Sequence, residues 1–117
     1  MTRGPLEWLA DARAFAQYAM QDAGGLSAEI LAGALQPQHA ALYDLVVVGE
    51  ALNNVPEAVQ SLAPEIPWAA VVGLRNRIVH AYWQIDLEII ANIIEHRLEP
   101  FMDEIDRLVD LIKRTDP

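Results

Sequence analysis

The chain has 117 residues, no cysteine and a net charge of −9. This length suits a single domain, residues 1–117, and the lack of cysteine excludes a disulfide framework and thiolate chemistry. The acidic balance argues against a broad binding face for DNA or other nucleic acids. No apolar run approaches the roughly 20 residues of a membrane-spanning helix, and the N-terminus lacks the apolar core of a signal peptide. We therefore expect a soluble, cytoplasmic protein without a membrane partner.

The first half of the chain predicts two long helices. Gly4 and Pro5 indicate the start of the first helix, and the glycine pair at 24–25 indicates its end. After the short segment SAEILAGAL, a second helix is expected over residues 39–54, ending before Pro56. Its run LVVVGE also fits a strand, but no other segment alternates with period two to pair with it. The apolar stripe of the first helix comprises Trp8, Leu9, Ala12, Phe15, Ala16, Ala19 and Met20.

The second half predicts two further helices. The third starts near Ile66 and Pro67. The fourth starts near Asp86 and should be kinked or split at Pro100, because proline removes a backbone donor. The fold class expected from these elements is all-α, a four-helix up-and-down bundle with short extra helical turns. The apolar residues of the fourth helix, spaced by three and four, are Leu87, Ile90, Ile94, Leu98, Phe101, Ile105, Leu108 and Ile112.

The chain is also rich in apolar residues for its size. Hydrophobic residues make up 53% of it, and aliphatic side chains lie nearly all round the second predicted helix at residues 45–48. A small core does not readily hide so much apolar surface. We therefore expect a self-association face, with a well-filled monomer core as the alternative.

Most familiar metal and catalytic patterns are missing from the sequence. His39, His80 and His96 share no metal-ligand spacing, and Glu95 and His96 are adjacent, so their side chains point apart on a helix. No glycine cluster opens a helix as phosphate-binding loops require, and neither serine lies in a catalytic motif. We expect no metal and no cofactor. The remaining candidate site is the stretch RNRIVHAYW, residues 75–83.

This stretch lies in a locally positive part of an acidic chain. Residues 66–85 contain two arginines and no acid, so they carry +2 and the rest of the chain carries −11. On a helix, Asn76 and His80 lie about 40° apart, so the amide can orient the imidazole. Arg75 and His80 lie about 140° apart and converge only if the arginine wraps round, the helix ends near His80, or a second subunit completes the site. The structural alternative is that Arg75 pairs with Glu50 or another acid and His80 caps a helix end.

Three segments of the chain together resemble one protein family. GLRNRIVHAYW, preceded by IPWAAV and followed by QIDLEII, resembles the motif region of the HepT-like toxins of the HEPN superfamily. The signature of that family is an arginine, four to six residues, then a histidine, often extended by x-Tyr. VVVGEALNNVPE resembles its second helix around Gly-Glu-Ala. HRLEPFMDEI resembles its last helix, with Leu-Glu-Pro where many relatives have Leu-Pro.

The resemblance implies a metal-independent endoribonuclease that works as a homodimer, in which the motifs of two subunits meet in an RNA-binding cleft. Carried over by position, Arg75 and His80 are the catalytic pair and Asn76 is a polar helper. By its charge, Arg77 would add to a basic cleft that binds the substrate. These residue types suit the chemistry. Imidazole can accept the 2′-hydroxyl proton, and guanidinium can stabilise charge on the phosphoryl oxygens.

The resemblance also implies a partner and a modification. The ribonuclease would be the toxin of a type II toxin–antitoxin pair, neutralised by an MntA-like nucleotidyltransferase antitoxin that attaches AMP to Tyr82. A helix break between Tyr82 and Asp86 would place the hydroxyl at the mouth of the cleft. The alternative for this residue is a core tyrosine packed beside Trp83. The alternative for the whole protein is a non-catalytic module that docks a nucleotidyltransferase and holds a substrate or nucleotide.

Overall fold

The computed structural model of the chain describes residues 3–115, and every regular element among them is helical. The predicted all-α class is therefore confirmed, and the run LVVVGE is helical and not a strand. No helix of the described part has the combined length and apolarity of a membrane span. The elements are α1 (Pro5–Ala23), α2 (Ala28–Gly33), α3 (Leu35–Asn53), α4 (Glu57–Gln60), α5 (Trp68–His80), a 3₁₀ turn (Tyr82–Gln84), α6 (Leu87–Asn92), a π-helical turn (Ile93–Arg97) and α7 (Leu98–Thr115).

The start of the second long helix was predicted wrongly. Helix α3 begins at Leu35 and not at residue 39. Pro37 is therefore its third residue, in the first turn, where a missing N–H costs no intrahelical bond. The first helix starts as predicted: the Gly4 backbone N–H donates to the Glu7 Oε2 at 3.0 Å and closes its N-terminus.

The break after the third long helix lies earlier than predicted. Helix α5 ends at His80, and Ala81 leaves helical geometry with φ −146° and ψ 46°. The 3₁₀ turn follows directly. Asp86 caps α6 as expected, because its Oδ1 accepts a hydrogen bond from the Glu88 backbone N–H at 2.9 Å.

Pro100 does not split the last helix. It is the third residue of α7, and α6, the π-helical turn and α7 form one uninterrupted helical rod. The irregularity lies just before the proline, in Ile93–Arg97. Proline lacks the N–H that would bond to the carbonyl of His96, and its ring crowds that preceding turn, so the turn is widened by one residue. The predicted distortion is therefore real but takes the form of a π turn.

The core lies mainly between α1, α3 and the α6–α7 rod. Helix α1 packs along α3 and also against α7, whereas α5 packs chiefly on α3. Helix α5 contributes a single buried side chain, Ile78. The predicted stripe of α1 is buried at its centre, while Trp8, Phe15 and Met20 are only partly buried at its edge. The fully buried part of that stripe is Leu9, Ala12, Ala16 and Ala19.

One carboxyl group is buried in the contact between α1 and α3. Asp44 on α3 is 5% exposed, and its Oδ2 has no hydrogen-bond partner among the described residues. Burial, together with the nearby carboxylate of Asp22 on α1, raises the pKa of Asp44 to about 7. A neutral carboxylic acid is the form that such a site favours.

Candidate active site

Arg75 turns towards α3 and is held by two side chains. Its Nη2 lies 3.2 Å from the Glu50 Oε2, and its Nη1 donates to the Asn76 Oδ1 at 2.8 Å. The Arg75 side chain is 27% exposed. The structural alternative considered for Arg75, an ion pair with Glu50, is therefore present. It occupies only part of the guanidinium, which has five N–H donors.

Gly49 allows α3 and α5 to approach closely beside Arg75. A methyl group at residue 49 would lie 2.9 Å from the Arg75 Cγ and 3.1 Å from the Val71 carbonyl oxygen, and still closer to the Arg75 Cβ. Any larger side chain would have to push the two helices apart. The glycine therefore fixes the position from which the Arg75 side chain leaves the backbone.

Asn76 does not orient His80 as the sequence spacing predicted. Its Oδ1 accepts from Arg75, because a cationic donor on the adjacent residue forms the stronger, charge-assisted bond. His80 is the last residue of α5, is exposed, and makes no side-chain hydrogen bond within residues 3–115. Neither ring nitrogen is therefore engaged, and His80 does not cap the helix.

Tyr82 and Trp83 project into solvent from the 3₁₀ turn. They are 71% and 69% exposed, and their rings meet edge to face with centroids 5.6 Å apart. The core-tyrosine alternative is therefore wrong, although the contact with Trp83 exists. Because α5 ends at His80, Tyr82 does not follow the helical rotation of α5, and its phenol is exposed two residues after His80.

An open apolar groove runs beside α5. It has a volume of about 600 Å³ and lies between α3, α5 and the α6–α7 rod. Its lining includes Leu45 and Val48 of α3, Leu74 of α5, and Ile93 and Phe101 of the rod. Leu45, Val48 and Phe101 are already buried, whereas Leu74 and Ile93 are only partly buried and would lose further exposed surface if another element covered the groove. Ile89, 49% exposed, also lines the groove, while other exposed apolar side chains such as Ile30 and Leu62 lie elsewhere, so only part of the apolar surface is found here.

Two arginines, Arg77 and Arg97, border the groove. Both are exposed, and neither forms an ion pair with another described residue. Arg77 was expected near the site. Arg97 was missed, because it stands 20 positions further along the sequence in a segment that predicted only an amphipathic helix. No local pattern marks it.

The described residues bring together no metal-binding cluster of three His, Asp or Glu side chains. Arg75 is held against α3, His80 is exposed at the end of α5, and Tyr82 is exposed two residues later. Helix α5 does end at His80, but Arg75 and His80 both lie within it, so their helical separation of about 140° remains in the single chain.

A family model described as ribonuclease HepT-like matches residues 11–108 of the chain. A candidate RNase of Methanocaldococcus jannaschii is 33% identical over 79 residues, which are 68% of this chain and 65% of that protein. A candidate ribonuclease HepT of Thermococcus cleftensis is 28% identical over 71 residues, 61% of this chain and 64% of that protein.

The mRNA nuclease HepT of Shewanella oneidensis is 40% identical over 43 residues, 37% of this chain and 29% of that protein. The aligned part of the chain thus spans less than two thirds of the length of each of these relatives. No solved structure is significantly similar to the chain.

Proposed function

The chain belongs to the HepT-like ribonuclease family, and from this premise we propose that it is an endoribonuclease that cleaves RNA without a metal ion. The observation that carries the proposal is the end of α5. There an unengaged His80 and a guanidinium fixed at Arg75 lie within six residues, on a segment with no acidic side chain. Similar relatives bear the names of ribonucleases, which supports the same activity.

In the proposed reaction, His80 accepts the proton of a ribose 2′-hydroxyl. The 2′-oxygen attacks the adjacent phosphorus, the bond to the 5′-oxygen breaks, and the 5′-oxygen takes a proton from water as it leaves, while His80 later returns its proton to the solvent. The products are a 2′,3′-cyclic phosphate and a 5′-hydroxyl. Arg75 stabilises the negative charge that builds on the phosphoryl oxygens, assisted by Arg77 for substrate binding, and Asn76 keeps the Arg75 fork in place.

A homodimer would complete this site. The groove beside α5 exposes apolar side chains, and the neighbouring surface of α5 offers Ala69, Ala70 and Gly73, which are exposed and small enough to admit a second helix closely. A second copy docked there would bury this surface and bring two sets of Arg75, Arg77 and His80 together. The result is a positive cleft in an otherwise acidic dimer.

Tyr82 is the proposed site of control by an MntA-like nucleotidyltransferase antitoxin, with the two proteins forming a type II toxin–antitoxin pair. The phenol oxygen would attack the α-phosphorus of ATP, pyrophosphate would leave, and the phenol proton would pass to a base of the transferase. The exposure of Tyr82 supports this, because a transferase must reach it. The attached phosphate would then occupy the positive site and exclude RNA.

The cleavage chemistry is tested with purified protein and RNA. Activity should survive EDTA and leave a 2′,3′-cyclic phosphate. His80→Ala and Arg75→Ala should each reduce the rate about 100-fold or more. His39→Ala is the matched control, because His39 is also exposed but belongs to α3 and not to the 75–83 segment. Cleavage that a chelator abolishes, or full activity in either site variant, would contradict the assignment.

The dimer is tested by light scattering at micromolar concentration. The mass should be about twice the 13.0 kDa of one chain. Ala70→Glu, which places a charge in the groove, should lower both the mass and the cleavage rate. A wild-type protein that is strictly monomeric and fully active would remove the two-subunit site.

Modification is tested by incubating the protein with the antitoxin, ATP and magnesium. Mass spectrometry should place adenylate on Tyr82 while ribonuclease activity falls, and Tyr82→Phe should stay active and unmodified. Tyr43→Phe serves as the control, because Tyr43 is also exposed but lies on α3. Inhibition that persists in Tyr82→Phe would favour an antitoxin that only covers the cleft.

One observation favours a second candidate function. The ion pair with Glu50 partly neutralises Arg75 in the single chain, as suits a non-catalytic module that binds a nucleotide and presents it to a nucleotidyltransferase. Under this alternative the purified dimer binds RNA or nucleotide but leaves RNA intact. The cleavage assay above therefore separates the two.

A further inference from the structure

The carboxylate of Glu50 is held from both sides. Its Oε2 receives the Arg75 Nη2 at 3.2 Å, and its Oε1 accepts from the Asn54 Nδ2 at 3.2 Å. Asn54 is itself fixed, since the same nitrogen donates to the backbone carbonyl of Glu50 at 2.8 Å. An isolated surface ion pair pays side-chain entropy to hold its geometry. Here the asparagine one turn later already orders the carboxylate, so Glu50 presents a fixed acceptor.

The Arg75 side chain is also held at its Cβ and Cγ, and its Nε is buried. The close approach at Gly49 sets its Cβ and Cγ against α3. Its Nε is buried and has no hydrogen-bond partner in the described part of the chain. The Nε–H edge therefore cannot reach a substrate in solvent. Each terminal nitrogen keeps one N–H that neither Glu50 nor Asn76 uses, and these are the donors left for an anion.

From these contacts we infer that Glu50, ordered by Asn54, is a positioning residue that holds the guanidinium of Arg75 with its two terminal nitrogens directed at the substrate phosphate. The inference rests on the proposed ribonuclease function. A free arginine populates many rotamers, and selecting one for each catalytic event is unfavourable. The ion pair with Glu50 favours one rotamer of Arg75 before RNA binds. It does so without competing for the outer N–H groups.

Glu50 could position Arg75 for catalysis or merely neutralise its charge, and the two roles predict different effects on kcat and KM. If Glu50 only neutralised Arg75, Glu50→Gln would strengthen RNA binding and raise the rate. If Glu50 positions Arg75, the same change should lower kcat by about 10-fold while KM stays the same or falls, because a negative charge near the RNA is lost and the transition-state contact is weakened. Asn54→Ala should have a smaller effect in the same direction, since the carboxylate then loses its second anchor.

The experiment compares Glu50→Gln and Asn54→Ala with the control Glu57→Gln. Glu57 is an exposed acid on α4 whose side chain makes no contact with an arginine among the described residues. The Nε–H proton of Arg75, identified by its loss in Arg75→Lys, is followed by NMR alongside kcat and KM. In the wild type and the control it should exchange slowly with water, because it is buried. In Glu50→Gln and Asn54→Ala, which we call the clamp variants, it should exchange at least 10-fold faster.

The NMR measurement separates failure of this inference from failure of the proposed function. If the wild type cleaves no RNA, the function is wrong, while the Nε–H exchange still decides whether Glu50 and Asn54 hold Arg75. Unchanged exchange in both clamp variants overturns the inference. A rise in kcat for Glu50→Gln overturns it too, because Glu50 then masks the cation. A fall in kcat with unchanged exchange also overturns the inference, because it shows that Glu50 does not act through Arg75.

Discussion

The two sides of α3 differ in how their neighbouring helices are held. On one side α1 buries a stripe of small residues against the core, and on the other side α5 buries only Ile78 and leaves Ala69, Ala70 and Gly73 exposed beside a groove. Both helices carry small residues at helical spacing. A stripe of small residues therefore marks a helix contact, but it does not show whether the partner helix belongs to the same chain.

We call the side of α3 that packs against α1 the closed side. The largest loss of stability should come from truncating an apolar side chain there. Leu9 is 0% exposed, so Leu9→Ala should cost about 3 kcal/mol of unfolding free energy through lost burial and a cavity. Ile89 lines the groove and is 49% exposed, so Ile89→Ala should cost less than about 1 kcal/mol. Urea unfolding of both variants at low protein concentration measures this contrast. Equal losses would mean that the two sides are equally packed.

The closed side should also be sensitive to pH through Asp44. The folded protein keeps the Asp44 proton up to about pH 7, whereas the unfolded chain releases it near the ordinary value of 3.8. The stability that comes from the neutral form is therefore complete below about pH 4 and is lost as the pH rises to about 7. Asp44→Asn should match the wild type near pH 4 and become increasingly the more stable of the two as the pH rises towards 8, by at most about 1.4 kcal/mol for each pH unit.

The measurement for Asp44 is urea unfolding at several pH values between 4 and 8. Asp110→Asn on the exposed face of α7 is the control and should leave the difference from the wild type constant. Asp22→Asn removes the neighbouring charge and should give part of the gain at high pH. A stability difference for Asp44→Asn that does not change with pH would show that Asp44 is already ionised in the folded state.

Gly49 on α3 and Gly73 on α5 differ in the space around them, so the same substitution should have opposite effects at the two positions. Gly49→Ala should destabilise the fold by about 1–2 kcal/mol, because overpacking against Arg75 and Val71 exceeds the gain in helix propensity. Gly73 has open space around it, so Gly73→Ala should stabilise the chain by about 0.5–1 kcal/mol. Thermal unfolding gives both values, and light scattering shows whether the added methyl in the groove weakens the proposed dimer. A stabilising Gly49→Ala would contradict the close approach of the helices.

The smallest effect concerns the ion pair between Arg13 on α1 and Asp106 on α7, whose Nε and Oδ1 lie 2.7 Å apart. The two side chains are 40% and 47% exposed, so solvent screens the pair and Arg13→Ala should cost only about 0.5 kcal/mol, and less at high salt. Unfolding at two salt concentrations measures it. A loss comparable to that of Leu9→Ala would mean that polar contacts, and not apolar burial, hold the closed side together.

The sequence predicted most of the helices because their apolar periodicity is a local property. The stripes of the first and last helices were correct for this reason, and so was the Asp86 cap, which depends on neighbouring residues only. The start of α3 was missed because Pro37 was taken to precede the helix, although a proline fits equally well inside a first turn. The π turn before Pro100 was missed because sequence shows that a proline disturbs a helix but not how the helix adjusts.

The candidate site residues could be chosen from the sequence, whereas most of their contacts could not be predicted from it. Arg75, His80 and Tyr82 stand out by type and spacing, and their roles remain predictions. The bond between Arg75 and Asn76, the anchoring of Glu50 by Asn54 and the close approach at Gly49 depend on how α3 and α5 pack. Arg97 comes near the groove only through tertiary structure. Contacts between distant segments leave no periodic trace in the sequence.

The small number of buried side chains in α5 also affects how long an unpaired chain resists proteolysis. Helix α5 buries only Ile78 and holds Trp68, Val71, Val72 and Leu74 partly buried, so it should open at a lower free energy than the helices whose apolar stripes are buried in the main core. Proteases cut such transiently opened segments in proportion to their population. In the proposed dimer a second copy covers α5 and suppresses this opening. Unpaired chains would then be degraded first, and the pairing equilibrium would set the lifetime of the protein as well as its activity.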